Sequence, residues 1–196
     1  MDTGTTRRRG AALEEAILDA AWAVLSERGY GEMTLDAVAR CAGTSRPVLH
    51  RRWPSRVKLA TAALARFYAL NPIEVPDLGS VGTDLRFVLR RMSDRLRPDL
   101  LRLVFDMAAD LADENSNFME MREAITNDRR IRAILDRGVK RGELDPDRLT
   151  PRIVSLPTDL VRHELLMTMK PLSDDAIREI VEEIFLPLVQ RTQDRR

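Results

Sequence analysis

Arg46, Arg51, Arg52 and Arg56 crowd into one short stretch, AGTSRPVLHRRWPSR at residues 42–56. A guanidinium stays charged at every accessible pH and offers a planar fork of donors that fits a phosphate or the O6/N7 edge of guanine. Lys58 follows closely. No carboxylate occurs between Asp36 and Glu74, whereas Arg40, Arg46, Arg51, Arg52, Arg56, Lys58 and Arg66 all fall in that interval. One reading of such a cluster is a solvated face. Solvated faces normally mix both signs, so the missing acids predict a counter-charge from outside the chain, namely a polyanion.

Other chemistries have less to work with. Cys41 is the single cysteine, which rules out an internal disulfide and leaves a cysteine-based metal site without ligands. HELLM at 163–167 opens like a zinc-protease motif, but Met167 stands where the second ligand histidine belongs. There is no glycine-rich phosphate loop, no GxSxG and no Cys–His pair. Neither an enzyme, nor a cofactor, nor a metal is expected.

The elements that must position the arginines are short helices. Leu13, Ile17, Ala20 and Val24 recur at helical spacing over about 11–28, and Gly29 closes that segment. Trp22 shares the neighbouring stripe with Leu18 and Leu25 and is expected in the core. Thr34 offers an N-cap to a helix from Leu35 to about Cys41, which Gly43 ends. A third helix runs from about Arg46 to Arg52 and stops at Pro54. Ser55 caps a fourth, to about Leu70. NPIEVPDLGSVG then reads as a linker, followed by helical patterns over roughly 80–97, 98–113, 116–141, 147–169 and 173–191. Strand-like alternation and long-period repeats are absent. The fold class is therefore all-α, with a three-helix head at 10–70 and a larger helical body at 79–196.

Two short helices joined by AGTS have the size of a helix-turn-helix, about 34–53, whose second helix enters the DNA major groove. Gly43 supplies the turn, and Val38 with Val48 pack the two helices together. Thr44, Ser45 and Arg46 lie at the exposed N-terminus of the third helix, where backbone N–H groups and the helix dipole favour phosphate. Pro47 is either a helix starter or an apolar edge for a thymine methyl, and Arg46 can grip guanine. His50 and Arg52 face the sugar-phosphate strand, Arg56 with Lys58 reach it from the fourth helix, and Arg51 is a further DNA-binding candidate. Trp53 is expected to wedge against the first helix. Arg7, Arg8 and Arg9 form either a minor-groove arm or a solvating tail.

GYGEMTLDAVARCAGTSRPVLHRRWPSRVKL, residues 29–59, resembles the DNA-binding signature of the TetR family of bacterial transcription regulators. The likeness extends without gaps from Ile17-Leu18-Asp19-Ala20-Ala21 to Leu59. It implies a DNA-binding head joined by a fourth helix to a ligand-sensing, dimerising body. Ligand binding would move the heads apart through that helix and release DNA. By position, the resemblance places Thr34, Thr44, Ser45, Arg46, Pro47, His50, Arg52 and Arg56 where the family meets DNA. His50 stands where a tyrosine is usual, Trp53 where phenylalanine is, and Arg56 where lysine is.

In the last helix, Ser173 caps a stripe of Ile177, Ile180, Val181, Ile184 and Leu188, widened by Phe185, Leu186 and Val189. So much apolar circumference needs a second surface to cover it. The expectation is a four-helix homodimer interface with the preceding helix, 147–169, built from Ile177, Ile180, Val181, Ile184, Phe185 and Leu188. The other reading is a helix buried within one chain. Phe87, Met92, Met107, Phe118, Met121 and Met167 either line an adaptable pocket for a small hydrophobic or amphipathic effector or are plain core. His163, with Asp159 one turn earlier, is a pocket contact or a structural histidine. Pro151 and Pro157 are both expected to interrupt the helix that carries them.

The whole chain fits these parts. Its 196 residues sum to a net charge of +1, yet residues 1–70 carry 11 Lys+Arg against 7 Asp+Glu, and residues 71–196 carry 21 against 24. The start has the positive flank of an export signal, but Glu14, Glu15 and Asp19 occupy its apolar segment, so a cytoplasmic location without membrane contact is expected. The function expected is a dimeric, palindrome-binding regulator, a repressor released by a small ligand. The alternative is a dimeric DNA-binding regulator without such a ligand, controlled by a protein partner or its own concentration.

Overall fold

Capping residues and glycines start and stop the second, third and fourth helices at the expected places in the computed structural model. It describes residues 4–95, 98–125 and 129–190, without side chains at 4–9, 98–99, 122–125 and 129. The arginine side chains at 7–9 therefore lie outside the described residues. Helices dominate, and among the described residues the sole β-type pairing is an isolated antiparallel bridge between Leu144 and Gln190.

The first compact unit comprises residues 1–72 and 102–126. It holds α1 (Gly4–Glu32), α2 (Leu35–Cys41), α3 (Arg46–Arg52) and α4 (Arg56–Leu70). Gly29, at φ 78°, breaks α1 near its end. Thr34 Oγ1 accepts the Ala37 N–H at 3.0 Å and Ser55 Oγ accepts that of Lys58, the caps expected for α2 and α4. Trp22 stacks on Phe67 with ring centroids 4.0 Å apart. Ile17, Ala21, Val24, Leu25, Met33, Val38, Leu49, Trp53, Val57 and Leu59 are buried. Leu13, expected on the same stripe, is exposed. The expected helix over 98–113 is broken at Met107 into α6 (Pro98–Asp106) and α7 (Ala108–Asp113), and α8 (Phe118–Ile125) follows.

The second unit comprises residues 73–101 and 127–196. It contains α5 (Val81–Arg95), α9 (Arg129–Lys140), α10 (Pro151–Thr168) and a C-terminal helix. Residues 71–80 are non-helical, as the linker composition requires. They are nevertheless pinned. Buried Asp84 accepts the Leu78 N–H at 2.7 Å and Arg137 Nη2 at 2.8 Å, and Arg137 also donates to the Pro76 carbonyl at 3.0 Å. Glu143 accepts the Val81 N–H that opens α5. Gly138 lets α9 approach α5, since a Cβ there would lie 2.1 Å from Val81 Cγ2. Leu85, Val88, Leu89, Ile134, Val161, Leu165, Val181 and Phe185 centre the core.

Pro151 does not interrupt a helix but starts one. It occupies the first turn of α10, where a missing N–H costs nothing, and Thr150 caps that turn. Pro157 alone lies inside.

The C-terminal helix departs most from its sequence pattern. It begins as α11 (Asp174–Arg178), widens into π turns over Glu179–Phe185 and closes as α12 (Leu186–Val189). In an α-helix, positions four apart drift around the axis by about 40°. The wider π turns cancel that drift. Ile177, Val181, Phe185 and Val189, each four apart, consequently stay on one buried face. Ile184 and Leu188, which helical spacing puts on that same stripe, are turned outward and are 42% and 43% exposed.

Candidate nucleic-acid interface

The α2–α3 turn is closed by backbone bonds alone. Gly43, at φ 64°, lets its own N–H reach the Arg40 carbonyl (3.3 Å) and the Thr44 N–H reach that of Ala39 (2.9 Å). This paired closure requires a left-handed residue just past the helix, a conformation costly to any residue with a Cβ. Ser45 then caps α3 by backbone geometry, and its hydroxyl makes no capping bond. Pro47 sits in the first turn of α3. Ser45, Arg46, Pro47, His50, Arg51 and Arg52 are exposed and Thr44 half-buried, so α3 shows one polar, cationic face. Its opposite side is held by Leu49 and Trp53, both buried, in keeping with a wedging role for the indole. Thr34 is exposed, with its hydroxyl oxygen engaged in the α2 cap.

The expectation that these cations lack internal counter-charges is corrected. Arg46 pairs with Asp36 at 3.1 Å, and Arg52 pairs with Glu14. Arg66 pairs with Asp19 at 2.7 Å. Arg56 Nε donates to Asp110 Oδ2 at 2.9 Å, and Lys58 Nζ lies 2.9 Å from Glu114. Glu14 and Asp19 of α1, and Asp110 and Glu114 at the end of α7, arrive through helix packing, whereas Asp36 stands at the edge of the acid-free interval. Arg40, His50 and Arg51 are exposed and have no such partner among the described residues.

These pairs are not equivalent. Arg46 and Asp36 are 60% and 59% exposed, and pairs of that kind contribute about 0–1 kcal/mol. A phosphate or a base edge can displace Asp36 at little cost. Arg56 is held more firmly: its guanidinium lies 4.2 Å over the Tyr30 ring, and the Tyr30 hydroxyl donates to the same Asp110 oxygen at 2.6 Å. The Arg56 hydrogen bond holds the Asp110 carboxyl below the usual carboxylate range. Burial, helped by Asp110, pushes the Tyr30 hydroxyl above its ordinary value. Lys58 likewise lowers Glu114.

Tyr30, Asp110 and Glu114 were not singled out by the sequence. The available signals were faint: Tyr30 is one of two tyrosines and follows the glycine that ends α1, and Asp110 and Glu114 stand one helical turn apart.

The other candidate residues disperse. Met107 and Met121 are buried in the first unit, where Phe118 is exposed. Phe87, His163 and Met167 are exposed in the second unit, and Met92 is partly buried against its core. Asp159 accepts from Arg162 at 2.5 Å. Of the six residues expected to cover a partner chain, Ile177, Ile180, Val181 and Phe185 are buried in this chain's own core and cannot do so; Ile184 and Leu188 remain available. No described helix is long and apolar enough to cross a membrane.

A glycine-closed turn presenting a short cationic helix, built on α1 and α4, defines a helix-turn-helix protein. Residues 17–63 match the family model "Bacterial regulatory proteins, tetR family", and residues 75–184 match "Tetracyclin repressor-like, C-terminal domain". The chain belongs to the TetR family and is a DNA-binding transcriptional regulator. It is 31% identical over 189 residues to the DNA-binding transcriptional repressor TetR of Mycobacteroides abscessus, covering 93% of this chain and 96% of that one. It is 33% identical to the HTH-type transcriptional regulator AqdR of Rhodococcus erythropolis, over 70% of this chain and 66% of the relative. The crystal structure of the TetR family transcription regulator SCO0332 superposes with a TM-score of 0.70 at 22% identity, over 91% of this chain and 99% of that one, and so shares the fold. These relatives are regulators and not enzymes.

Proposed function

We propose that the protein represses transcription by binding a palindromic operator as a homodimer, with α3 of each copy in the major groove. The exposed N-terminus of α3, with a Ser45 hydroxyl that makes no capping bond and Arg46 held by a solvent-exposed pair, is the observation that supports this reading most strongly. Arg46 reads a guanine and Pro47 meets a thymine methyl. Thr34, Thr44, Ser45, His50, Arg51 and Arg52 bind the backbone, and Arg56 and Lys58 add phosphate contacts from α4. The name of the M. abscessus relative supports repression.

The C-terminal helix supports dimerisation. Ile184 and Leu188 are turned out of the chain's core on one side of it, and a second copy related by two-fold symmetry would cover them. Two heads then meet half-sites about 34–36 Å apart. The body, residues 79–196, binds a small hydrophobic or amphipathic effector that favours the arrangement unable to bind DNA. Burial of Met107 and Met121 favours the second reading, a dimer with no such ligand, in which those methionines are core.

Selection of duplexes from a random pool by the purified protein tests the DNA reading. A two-fold symmetric motif is expected, and an enriched pool without symmetry would remove the dimeric operator from the account.

A further inference from the structure

We infer that Asp110 of α7 and Glu114, the residue that caps its C-terminus, act as internal competitors for DNA phosphate, occupying the two cations at the start of α4. The inference rests on the DNA-binding reading above and adds residues that lie outside the helix-turn-helix.

The geometry is specific. Asp110 and Glu114 are one helical turn apart at the end of α7, so both project from one side. Arg56 and Lys58 occupy the first turn of α4. The two acids meet the two cations one to one, at 2.9 Å in each case. Arg56 Nε donates to Asp110 Oδ2, and Nη2 lies 2.9 Å from that same oxygen. A carboxylate oxygen offers a guanidinium or an ammonium the same charge and acceptor chemistry that a phosphate oxygen offers. While α7 holds both side chains, each has its charge already offset by a carboxylate, which weakens its attraction for a phosphate.

The remaining contacts make the grip more than a passing surface pair. Tyr30 is buried, its ring lies under the Arg56 guanidinium, and its hydroxyl donates to the oxygen that Arg56 uses. Arg56 is therefore fixed from two sides, by a ring face and by a carboxylate. Asp36 and Glu14, the partners of Arg46 and Arg52, belong to exposed pairs without such support. The interface thus divides into cations that exchange readily and cations that α7 controls, and α7 comes from a part of the chain remote in sequence from the helix-turn-helix.

The test is a salt titration of duplex binding by the full chain. Asp110→Asn with Glu114→Gln keeps the shape and one acceptor oxygen of each side chain but removes the charge. The double variant is expected to bind at least about threefold tighter, with a log–log salt slope steeper by about 1 for each cation released. Asp113→Asn is the control: it makes a single charge change on the same helix, at an exposed side chain without a partner among the described residues. It should leave the slope unchanged. In an Arg56→Ala background, Asp110→Asn should have no effect. A thermal melt of each variant separates lost folding from altered binding, since a purely structural tie would move the melt and not the slope. Unchanged or weaker binding by the folded double variant would overturn the competitor, as would an equal gain from Asp113→Asn. A wild-type chain that binds no duplex would remove the DNA reading itself, whereas normal wild-type binding with an indifferent double variant removes this inference alone.

Discussion

Arg56 and Asp110 are 54 positions apart in the chain, yet the guanidinium Nε donates to the carboxylate at 2.9 Å. The contact ties the first turn of α4 to α7 and, through the Tyr30 hydroxyl on the same oxygen, to the end of α1. Helix-turn-helix and α7 are thereby parts of one compact unit.

That contact has a stability signature. Tyr30→Phe removes a 2.6 Å hydrogen bond to a charged acceptor, and the expected loss is about 1–3 kcal/mol, read from the denaturant midpoint. A midpoint equal to wild type would show that the hydroxyl contributes nothing.

The pH dependence follows from the depressed Asp110 carboxyl. A group whose folded pKa lies below its unfolded value contributes stability above the unfolded value, about 3.9 for Asp. That contribution is lost as pH falls through the folded value. The stability gap between wild type and Asp110→Asn should therefore be constant near neutral pH and close in acid. Denaturant melts across the acid range check it; a gap that persists through strong acid would contradict the assignment.

Much of the head was legible because its determinants are local. Thr34, Gly43, Pro47 and Ser55 each set the backbone within a few residues of themselves, and the structure keeps every one in that role. The ion pairs were not legible. A scan for acids near the arginines in sequence stops at Asp36, while Glu14, Asp110 and Glu114 arrive through tertiary packing. The C-terminal stripe was misread for a different reason. Ile184 and Leu188 fit a 3.6-residue period with Ile177 and Val181, and only the π turns at 179–185 break that period.

The π turns divide neighbouring residues into different roles. Phe185→Ala should cost about 3–5 kcal/mol as a core deletion. Ile184→Asp with Leu188→Asp should shift the mass in light scattering from dimer to monomer, and lower the melting temperature only by what the lost pairing contributed. A variant that remains dimeric would place the pairing surface elsewhere.

The turn can be probed without touching a cation. Gly43→Ala forces a Cβ into φ 64°, a cost of about 1–2 kcal/mol. Duplex affinity should fall because α3 is displaced, although every charged side chain is intact. Retained affinity at lowered stability would mean that the turn does not set the pose of α3.

Uniform weakening is expected of Arg51→Ala, which has an exposed guanidinium free of partners among the described residues. Competition with several unrelated duplexes should show the same fold loss on each. Losses confined to one sequence would assign Arg51 to base reading instead.

The most direct test of α3 as the reading element is a side-by-side duplex selection with wild type and Arg46→Ala. The expected outcome is one symmetric motif for the wild type and, for the variant, the same motif with a single position degenerate in each half-site. Identical motifs from both proteins would contradict the assignment of base recognition to the N-terminus of α3.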